Sequence, residues 1–279
     1  MRSIKAQEIE DRVRELCIET CIVADPALVR AFEEGKKKED SALARDTLER
    51  LIENTRIAEQ ERLPICQDTG LAIFFVELGE DLKIEGGALT EAVNRGMVRG
   101  YQDGYLRKST CHCLTRKNRG DNSPAYIHLD LVPGDGLKIS FMAKGGGSEN
   151  MGGVRLLKPG QGWQGISDFV VETVDKAGPN PCPPVIVGVG VGGPMEVAAL
   201  NSKKVLLQET EGVNPDPELA EKEAELLERI NKLGVGPEGF GGRTTALAVH
   251  IMSAPCHIAS LPVAVSLACQ ASRSGSITF

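Results

Sequence analysis

The chain has 279 residues, of which 41% are hydrophobic, enough for one large core or two ordinary ones. Its 32 basic and 39 acidic residues give a net charge of -7, which argues against nucleic acid and against an anionic membrane as partners. No apolar run approaches the roughly 18 residues needed to span a bilayer, and residues 1–16 turn acidic where a signal peptide would be apolar. We therefore expect a cytoplasmic protein whose eight cysteines are reduced thiols or metal ligands.

Apolar residues at helical spacing open the chain. Ile9, Val13 and Leu16 recur with Cys17 and Cys21, which predicts an amphipathic helix with both cysteines on its apolar face. Two cysteines four residues apart could bind a metal, but no histidine or carboxylate clusters with them. Packing in the core is the simpler interpretation of this pair.

Capping signals predict two further helices before residue 62. Asp25 and Pro26 form a cap and first turn, and Ser41 caps a pattern that continues to Thr55. The polar run GKKKED between these helices reads as a solvated connection. Residues 1–62 are therefore expected to be mainly helical.

Strand patterns begin after the segment PICQDTG. Residues 71–78, 125–132 and 137–144 are rich in β-branched and aromatic residues, and the last two, joined by PGDG, predict a hairpin. A helix over 166–177, a strand over 185–191 and a helix over 217–233 follow. The fold class is α/β (mixed α+β), with one domain over 1–279 in which the helical section packs on a mixed-sheet section, 63–279.

Three cysteines set far apart along the chain are the strongest chemical signal. Cys66 lies in PICQDTG, Cys182 in NPCPP and Cys269 in SLACQ, each beside proline or polar residues. Three thiolates on a four-iron cluster would leave one iron open to substrate, as in catalytic metal sites, which favours a hydro-lyase. Cys256 and Cys113 are rival ligands, and the residues alone leave the metal undecided.

Polar residues near these cysteines are candidates for substrate contacts. Asp68 follows Cys66 and could orient or deprotonate a substrate group, and the glycines 145–147 could direct amide hydrogens at an anion. Arg107 could pair with a carboxylate. His257 could donate to a substrate. An Asp turn, a flexible glycine turn, a solvated arginine and a core histidine are the plain alternatives.

Two other patterns imitate known sites. Gly188, Gly190 and Gly193 spell GxGxxG after an apolar strand, which in form is a dinucleotide fingerprint of an oxidoreductase, but the following helix is short and no second nucleotide unit follows. Cys111 and Cys113 flank a histidine in a triplet that could bind zinc, although no second ligand pair stands at finger-like spacing.

The motifs in their order along the chain resemble one family. PICQDTG, YLRKS, KNRGDNSPA, AKGGGSENM, AGPNPCPP and the segment from GFGGRTTALAVHI to PVAVSLAC are similar to the class I, iron-sulfur fumarate hydratases, in particular to the alpha subunit of the two-subunit type. The alpha subunit of L-tartrate dehydratase is a near relative of that subunit. The resemblance covers nearly all of the chain from Cys66 onward.

The resemblance implies a cofactor and a set of site residues. It matches Cys66, Cys182 and Cys269 to the ligands of a 4Fe-4S cluster with one open iron, and it leaves Cys111, Cys113 and Cys256 without a role. The positions that it matches to contacts with a dicarboxylate substrate are Gln67, Asp68, Arg107, Gly146, Gly147 and His257. Among these, Asp68 and His257 are the expected catalytic residues.

The resemblance also implies a partner. Single-chain members of the family continue into a C-terminal domain that supplies further substrate contacts and a base, whereas this chain stops at SGSITF. We therefore expect a separate beta subunit, an alpha-alpha dimer and an assembly of two alpha and two beta chains. The expected reaction is the reversible hydration of fumarate to (S)-malate, a step of the tricarboxylic acid cycle, catalysed by an oxygen-sensitive lyase. Dehydration of L-tartrate is the alternative.

Overall fold

A computed structural model describes residues 2–279 and confirms the mixed α/β fold class. The strands are β1 (Arg2–Lys5), β2 (Leu71–Gly79), β3 (Leu82–Glu85), β4 (Tyr126–Val132), β5 (Leu137–Lys144), β6 (Gly153–Leu157), β7 (Val185–Gly192), β8 (Ala246–Ala254), β9 (Leu261–Ala268) and β10 (Ser274–Thr278). The helices are α1 (Ala6–Ile22), α2 (Pro26–Lys38), α3 (Ala42–Glu61), α4 (Leu89–Asp103), α5 (Gly146–Glu149), α6 (Gly162–Ala177), α7 (Met195–Lys204) and α8 (Pro217–Asn231).

The chain divides into two compact units. The first takes in the residues up to Ala24, Ile57–Gly146 and Arg273–Phe279, and the second takes in Asp25–Arg56 and Gly147–Ser272. That 1–279 acts as a single domain stays a prediction. None of the helices within 2–279 has the length and apolar character that crossing a membrane requires.

The first unit contains a four-stranded mixed sheet in the order β10-β5-β2-β4. β2 runs parallel to β4 and antiparallel to β5, and it lies between them. The predicted hairpin of β4 and β5 is therefore wrong, because β2 takes the place between the two strands that PGDG joins. A separate parallel pair, β1 with β3, completes the strands of this unit.

Helices α1 and α4 pack closely in the first unit. A Cβ on Gly96 would lie 2.5 Å from the carbonyl of Glu10, and one on Gly100 would lie 2.9 Å from the carbonyl of Arg14, so α4 approaches α1 through glycines. α1 also contacts β5 and β10. Cys17 and Cys21 are fully buried in this core, which confirms the core interpretation of the pair.

The second unit is built on a four-stranded sheet in the order β6-β9-β7-β8. Side chains of β7 such as Val187 and Val189 pack with Ile166 of α6 and Leu226 of α8 in one apolar cluster. α7 contacts the face of β7 on which a Cβ of Gly188 or Gly190 would lie. The predictions of a helix over 166–177, a strand over 185–191 and a helix beginning at Pro217 are confirmed to within a few residues.

The glycines of the dinucleotide-like pattern serve this packing. Gly188 and Gly190 lie inside β7, where a Cβ would stand 2.1 Å from the carbonyl of Ser202 and 2.0 Å from the carbonyl of Ala198. A nucleotide fingerprint places its glycines in the turn after the strand, where they approach a pyrophosphate. Contact with α7 therefore accounts for both glycines without a nucleotide.

His250 on β8 makes the stability of the second unit depend on pH. It is 1% exposed, and neither ring nitrogen has a hydrogen-bond partner within residues 2–279. Burial lowers the pKa of His250 from 6.5 to about 4. The unfolded chain therefore takes up a proton at a higher pH than the folded chain, so the stabilisation is complete above pH 6.5 and is lost as the pH falls toward 4.

We expect wild-type protein to lose roughly 2 kcal/mol of unfolding free energy through this histidine between pH 7 and pH 5. His250→Leu removes the titrating group and should flatten that part of the pH dependence. Urea unfolding of both proteins at pH 7, 6 and 5 measures the difference, with intrinsic fluorescence and far-UV circular dichroism as parallel probes. Equal losses in wild type and variant would contradict the assignment.

Candidate active site

The loop of residues 64–70 carries the first predicted cluster ligand. It follows α3 and leads into β2, and the amide of Ile65 donates to the carbonyl of Cys21 at 2.9 Å, which ties the loop to the end of α1. Cys66 is half-buried, and its thiol donates to Oε1 of Gln67 at 3.4 Å. The thiol therefore lies on an anchored loop with part of its residue exposed.

Asp68 holds three segments of the first unit together. Its Oδ2 accepts from the amide of Gly146 at 2.7 Å, and its Oδ1 accepts from the amide of Gly70 at 3.1 Å and from the hydroxyl of Ser109 at 3.5 Å. The carboxylate thus fixes the start of α5 against the Cys66 loop. The Gly146 amide is therefore occupied by Asp68, and contact of this glycine with a substrate stays a prediction.

Close backbone approach requires glycine at position 70. Its φ is +67°, and a Cβ there would lie 2.3 Å from the backbone carbonyl of Lys144 at the end of β5. Any side chain would push the Cys66 loop away from the segment that carries Gly146. The final glycine of PICQDTG is therefore a structural requirement of the loop.

Asn122 is a residue of this site that the sequence reasoning missed. It is fully buried, its Oδ1 accepts from the amides of Ser109 and Thr110 at 2.7 and 3.0 Å, and its Nδ2 donates to the carbonyl of Gly70 at 3.2 Å. The hydroxyl of Thr69 donates to the carbonyl of Arg107 at 3.2 Å, and the Arg107 side chain is exposed. These bonds hold the segment after α4 beside the Cys66 loop. The sequence signal that could have identified Asn122 is its position between Asp121 and a Ser-Pro pair.

Arg273 is the second missed residue. It is 3% exposed, and its Nε and Nη1 have no hydrogen-bond partner within the described chain. A Cβ on Gly145 would lie 3.6 Å from its Nη2 and 3.3 Å from Oδ2 of Asp68, so the guanidinium and the carboxylate flank the same glycine. In the sequence, Arg273 is flanked by small residues near the chain end, and this local pattern does not predict that its side chain is buried.

In the second unit, backbone contact joins the loops of the other two predicted ligands. Cys182 is exposed and adopts a left-handed backbone with φ of +53°, which is uncommon for a residue with a side chain. Its carbonyl accepts from the amide of Gln270 at 3.0 Å, immediately after Cys269, which is half-buried at the end of β9. The structure therefore brings the NPCPP loop and the SLACQ segment together.

A glycine-rich loop supports the Cys182 turn. The amide of Glu238 donates to the carbonyl of Pro183 at 2.7 Å, and a Cβ on Gly239 would lie 2.4 Å from Cβ of Pro179. Burial raises the pKa of Glu238, whose Oε1 has no hydrogen-bond partner within 2–279. Gly147 approaches the same turn, because a Cβ there would lie 3.1 Å from the carbonyl of Asn180.

His257 lies in the turn that follows β8. It is exposed, and its Nδ1 accepts from the amide of Ala259 at 3.1 Å, so the neutral ring carries its proton on Nε2. The residue lines a cavity of about 390 Å³ together with Trp163, Leu219 and Ile258. This arrangement leaves Nε2 as the ring atom with a proton to donate.

The remaining cysteines have other surroundings. Burial raises the pKa of Cys17 well above its usual range and that of Cys21 to about 11, so both stay protonated thiols. The thiol of Cys256 donates to the carbonyl of Ser260 at 3.2 Å. Cys111 forms an isolated antiparallel bridge with Asn118, and Cys113 is exposed.

No group of three or more histidine, cysteine, aspartate or glutamate side chains within residues 2–279 is arranged to hold a metal ion. Cys66 belongs to the first unit, and Cys182 and Cys269 belong to the second. Their donor chemistry fits an iron-sulfur cluster, because thiolates are its protein ligands and all three residues are at least partly exposed on loops or strand ends. The buried pair in α1 does not offer that access.

The candidate site thus contains two glycine-containing loops, the hydrogen-bonded carboxylate of Asp68, and cysteines that are at least partly exposed. Comparison with known proteins then gives the family. The profile described as "Fumarate hydratase (Fumerase)" matches residues 10–278. The chain belongs to this family of hydro-lyases.

Curated relatives agree with that assignment. The chain is 42% identical over 273 residues to "Putative L(+)-tartrate dehydratase subunit alpha" of Methanocaldococcus jannaschii, covering 95% of each protein. It is 34% identical over 257 residues to "L(+)-tartrate dehydratase subunit alpha" of Escherichia coli strain UTI89, covering 90% of this chain and 84% of the relative. The protein of the same name in strain K12 is 33% identical over the same length. The resemblance inferred from the motifs is confirmed.

Proposed function

We propose that this chain is the cluster-bearing alpha subunit of an iron-sulfur hydro-lyase that acts on a dicarboxylate together with a beta subunit. The observation that carries the proposal is the anchored loop that presents Cys66 beside Asp68, whose carboxylate also holds Gly146. Family membership supports the same chemistry. Cys66, Cys182 and Cys269 would hold a 4Fe-4S cluster in this proposal.

Elimination of water from a hydroxy acid needs charge stabilisation on the departing oxygen and removal of a proton from the neighbouring carbon. When bound, a cluster with one open iron supplies Lewis-acid stabilisation for that oxygen. Arg107 and the Gly147 backbone hold the substrate carboxylates, and Gln67 adds a hydrogen bond. His257 can donate a hydrogen bond from Nε2 to the departing oxygen or to a substrate carboxylate, while Asp68 orients the loops and assists a base supplied by the beta subunit.

Two substrates fit this chemistry. Reversible hydration of fumarate to (S)-malate, a step of the tricarboxylic acid cycle, is the first, and the family description supports it. Dehydration of L-tartrate is the second, and the names of the relatives from Methanocaldococcus jannaschii and Escherichia coli favour it. The two reactions share the elimination step and differ by one hydroxyl on the substrate.

The proposed assembly is an alpha-alpha dimer that binds two beta chains. The relatives are named as alpha subunits, which supports the existence of a second subunit. We place the complex in the cytoplasm, and we expect it to be oxygen-sensitive because an iron that lacks a thiolate is easily lost.

Turnover on the two diacids decides the substrate. We expect the anaerobically reconstituted alpha-beta complex to show a kcat/KM for malate at least about tenfold above that for L-tartrate, because a site that fits malate would leave the additional hydroxyl of tartrate without a hydrogen-bond partner. Fumarate formation followed by its ultraviolet absorbance and oxaloacetate formation followed by a coupled assay give the two rates. A higher kcat/KM for L-tartrate than for malate would assign L-tartrate as the substrate. Turnover of neither diacid would contradict the proposed function.

A further inference from the structure

Residues 105–120, called here the basic arm, form an ordered projection in the first unit. Cys111 pairs with Asn118 in an antiparallel bridge, the amide of His112 donates to the carbonyl of Lys117 at 2.9 Å, and the amide of Arg119 donates to the carbonyl of Thr110 at 3.1 Å. At the tip, Nδ1 of His112 accepts from the two amides that follow Cys113, at 3.2 Å each. The arm is thus a small hairpin with a defined tip.

The base of the arm is fixed to the Cys66 loop. Buried Asn122 binds the amides of Ser109 and Thr110 and also the carbonyl of Gly70. The side chain of Asn118 donates to the carbonyl of Lys108 at 2.8 Å and closes the arm above its base. A segment held in this way is preorganised, so binding through it costs little conformational entropy.

The arm concentrates positive charge in a chain whose net charge is -7. Its sequence YLRKSTCHCLTRKNRG contains five arginines and lysines and no carboxylate. No salt bridge within residues 2–279 involves any of them, although most exposed cations elsewhere form one. Of the nearest flanking carboxylates, Asp103 pairs with Arg14, and Asp121 accepts from the amide and hydroxyl of Ser123. The pKa of Asp121 is lowered by these hydrogen bonds and, to a smaller extent, by the charge of the neighbouring Arg119.

Apolar exposure on the arm points to a macromolecular partner. Tyr105 is 89% exposed and Leu114 is 84% exposed, among the highest values for large apolar residues in the described chain. Tyrosine and arginine are enriched at the energetic centres of protein interfaces, whereas a small dianion would make no use of an exposed leucine. Cations without a salt bridge, next to exposed apolar side chains, fit a protein surface that is acidic with an apolar centre.

We propose that the basic arm docks on an acidic surface of the beta subunit. This inference rests on the proposed function, because that function supplies the second chain. The arm contains Arg107, a predicted substrate residue, and its base binds the Cys66 loop, so docking there would bring the beta subunit close to the candidate active site. Cations on the tip accelerate association through long-range attraction, and Tyr105 and Leu114 become buried in the complex.

A pair of charge reversals tests the docking. Arg116→Glu with Lys117→Glu changes two adjacent exposed cations at the arm tip, and Lys37→Glu with Lys38→Glu changes two adjacent exposed cations of α2 by the same total charge. Association of each full-length chain with the cognate beta subunit is measured anaerobically on a biosensor at 50 mM and 500 mM salt. We expect the arm variant to associate at least about tenfold more slowly at low salt and within about twofold of wild type at high salt. The α2 variant should stay within about twofold at both.

Additional measurements distinguish a failure of the docking proposal from a failure of the proposed function. Leu114→Ser should speed dissociation about tenfold and leave the salt dependence unchanged, and unaltered circular dichroism melting shows that each variant is folded. Wild-type rates in the arm variant would overturn the docking proposal alone. Normal assembly combined with a salt-dependent loss of kcat/KM would also overturn it and would assign the arm to steering of the substrate dianion. Absence of any binding by wild-type chain would overturn the proposed function as well.

Discussion

Replacing Cys66, Cys182 or Cys269 with serine is expected to abolish cluster absorption and to reduce hydro-lyase activity of the alpha-beta complex by more than about 100-fold. Serine keeps the size of the side chain but does not provide the soft thiolate that iron prefers. Visible absorbance near the iron-sulfur charge-transfer bands, iron and sulfide content, and turnover are measured on anaerobically reconstituted protein. Each of the three substitutions should give the same loss, since the cluster needs all of its protein ligands.

Two matched controls make that result specific. Cys113→Ser and Cys256→Ser replace exposed cysteines that the family resemblance leaves without a role. Both variants should keep the cluster spectrum and activity within about twofold of wild type. An unaffected Cys269→Ser variant would contradict the ligand assignment, and loss of the cluster in Cys256→Ser would move the third ligand to that position.

Gly190→Ala is expected to destabilise the second unit by at least about 3 kcal/mol and to lower its melting temperature by roughly 10 °C. The added Cβ would stand 2.0 Å from the carbonyl of Ala198 and 2.8 Å from the amide of Ser202, both of which belong to the backbone of α7. Because backbone atoms cannot rotate away as a side chain can, α7 must move off the sheet. Differential scanning calorimetry measures the change.

Gly160→Ala is the control for this effect. No atom outside its immediate chain neighbours lies within 4 Å of a Cβ at that position, and its backbone is not left-handed. Its melting temperature should stay within about 2 °C of wild type, since an added methyl there meets open space. A Gly190→Ala protein that melts with the control would contradict the packing explanation, and binding of NAD(H) lost only in Gly190→Ala would revive the nucleotide interpretation.

Local signals in the sequence predicted most of the helices but only four of the ten strands within residues 2–279, namely β2, β4, β5 and β7. Asp25 caps α2 and Asp216 caps α8, and in both helices the carboxylate accepts a backbone amide while proline fills the first turn. The pairing of strands was harder to foresee, since a short connection such as PGDG suggests a hairpin. β2, more than fifty residues earlier than β5, lies between β4 and β5, and only long-range packing decides that order.

In the candidate site, too, local sequence patterns predicted the loops, whereas contacts between residues far apart in the sequence were not predictable. PICQDTG and NPCPP identified polar or stiff loops around cysteines, and the structure places those cysteines on loops with some exposure. The partners of Asp68 were not predictable, because Gly146 lies 78 residues away along the chain. Asn122 and Arg273 escaped notice for the same reason: burial of a polar side chain depends on the folded neighbours and leaves little mark in the local sequence.

The central claim is that this chain holds a cluster with an open iron at a shared hydro-lyase site. Its most direct measurement is the dehydratase rate of the anaerobically assembled alpha-beta complex before and after exposure to air with an iron chelator, followed by anaerobic treatment with Fe²⁺ and a thiol reductant. We expect activity on malate or tartrate to be lost in air and to return on treatment with iron. Full activity after prolonged aerobic chelation would contradict the claim.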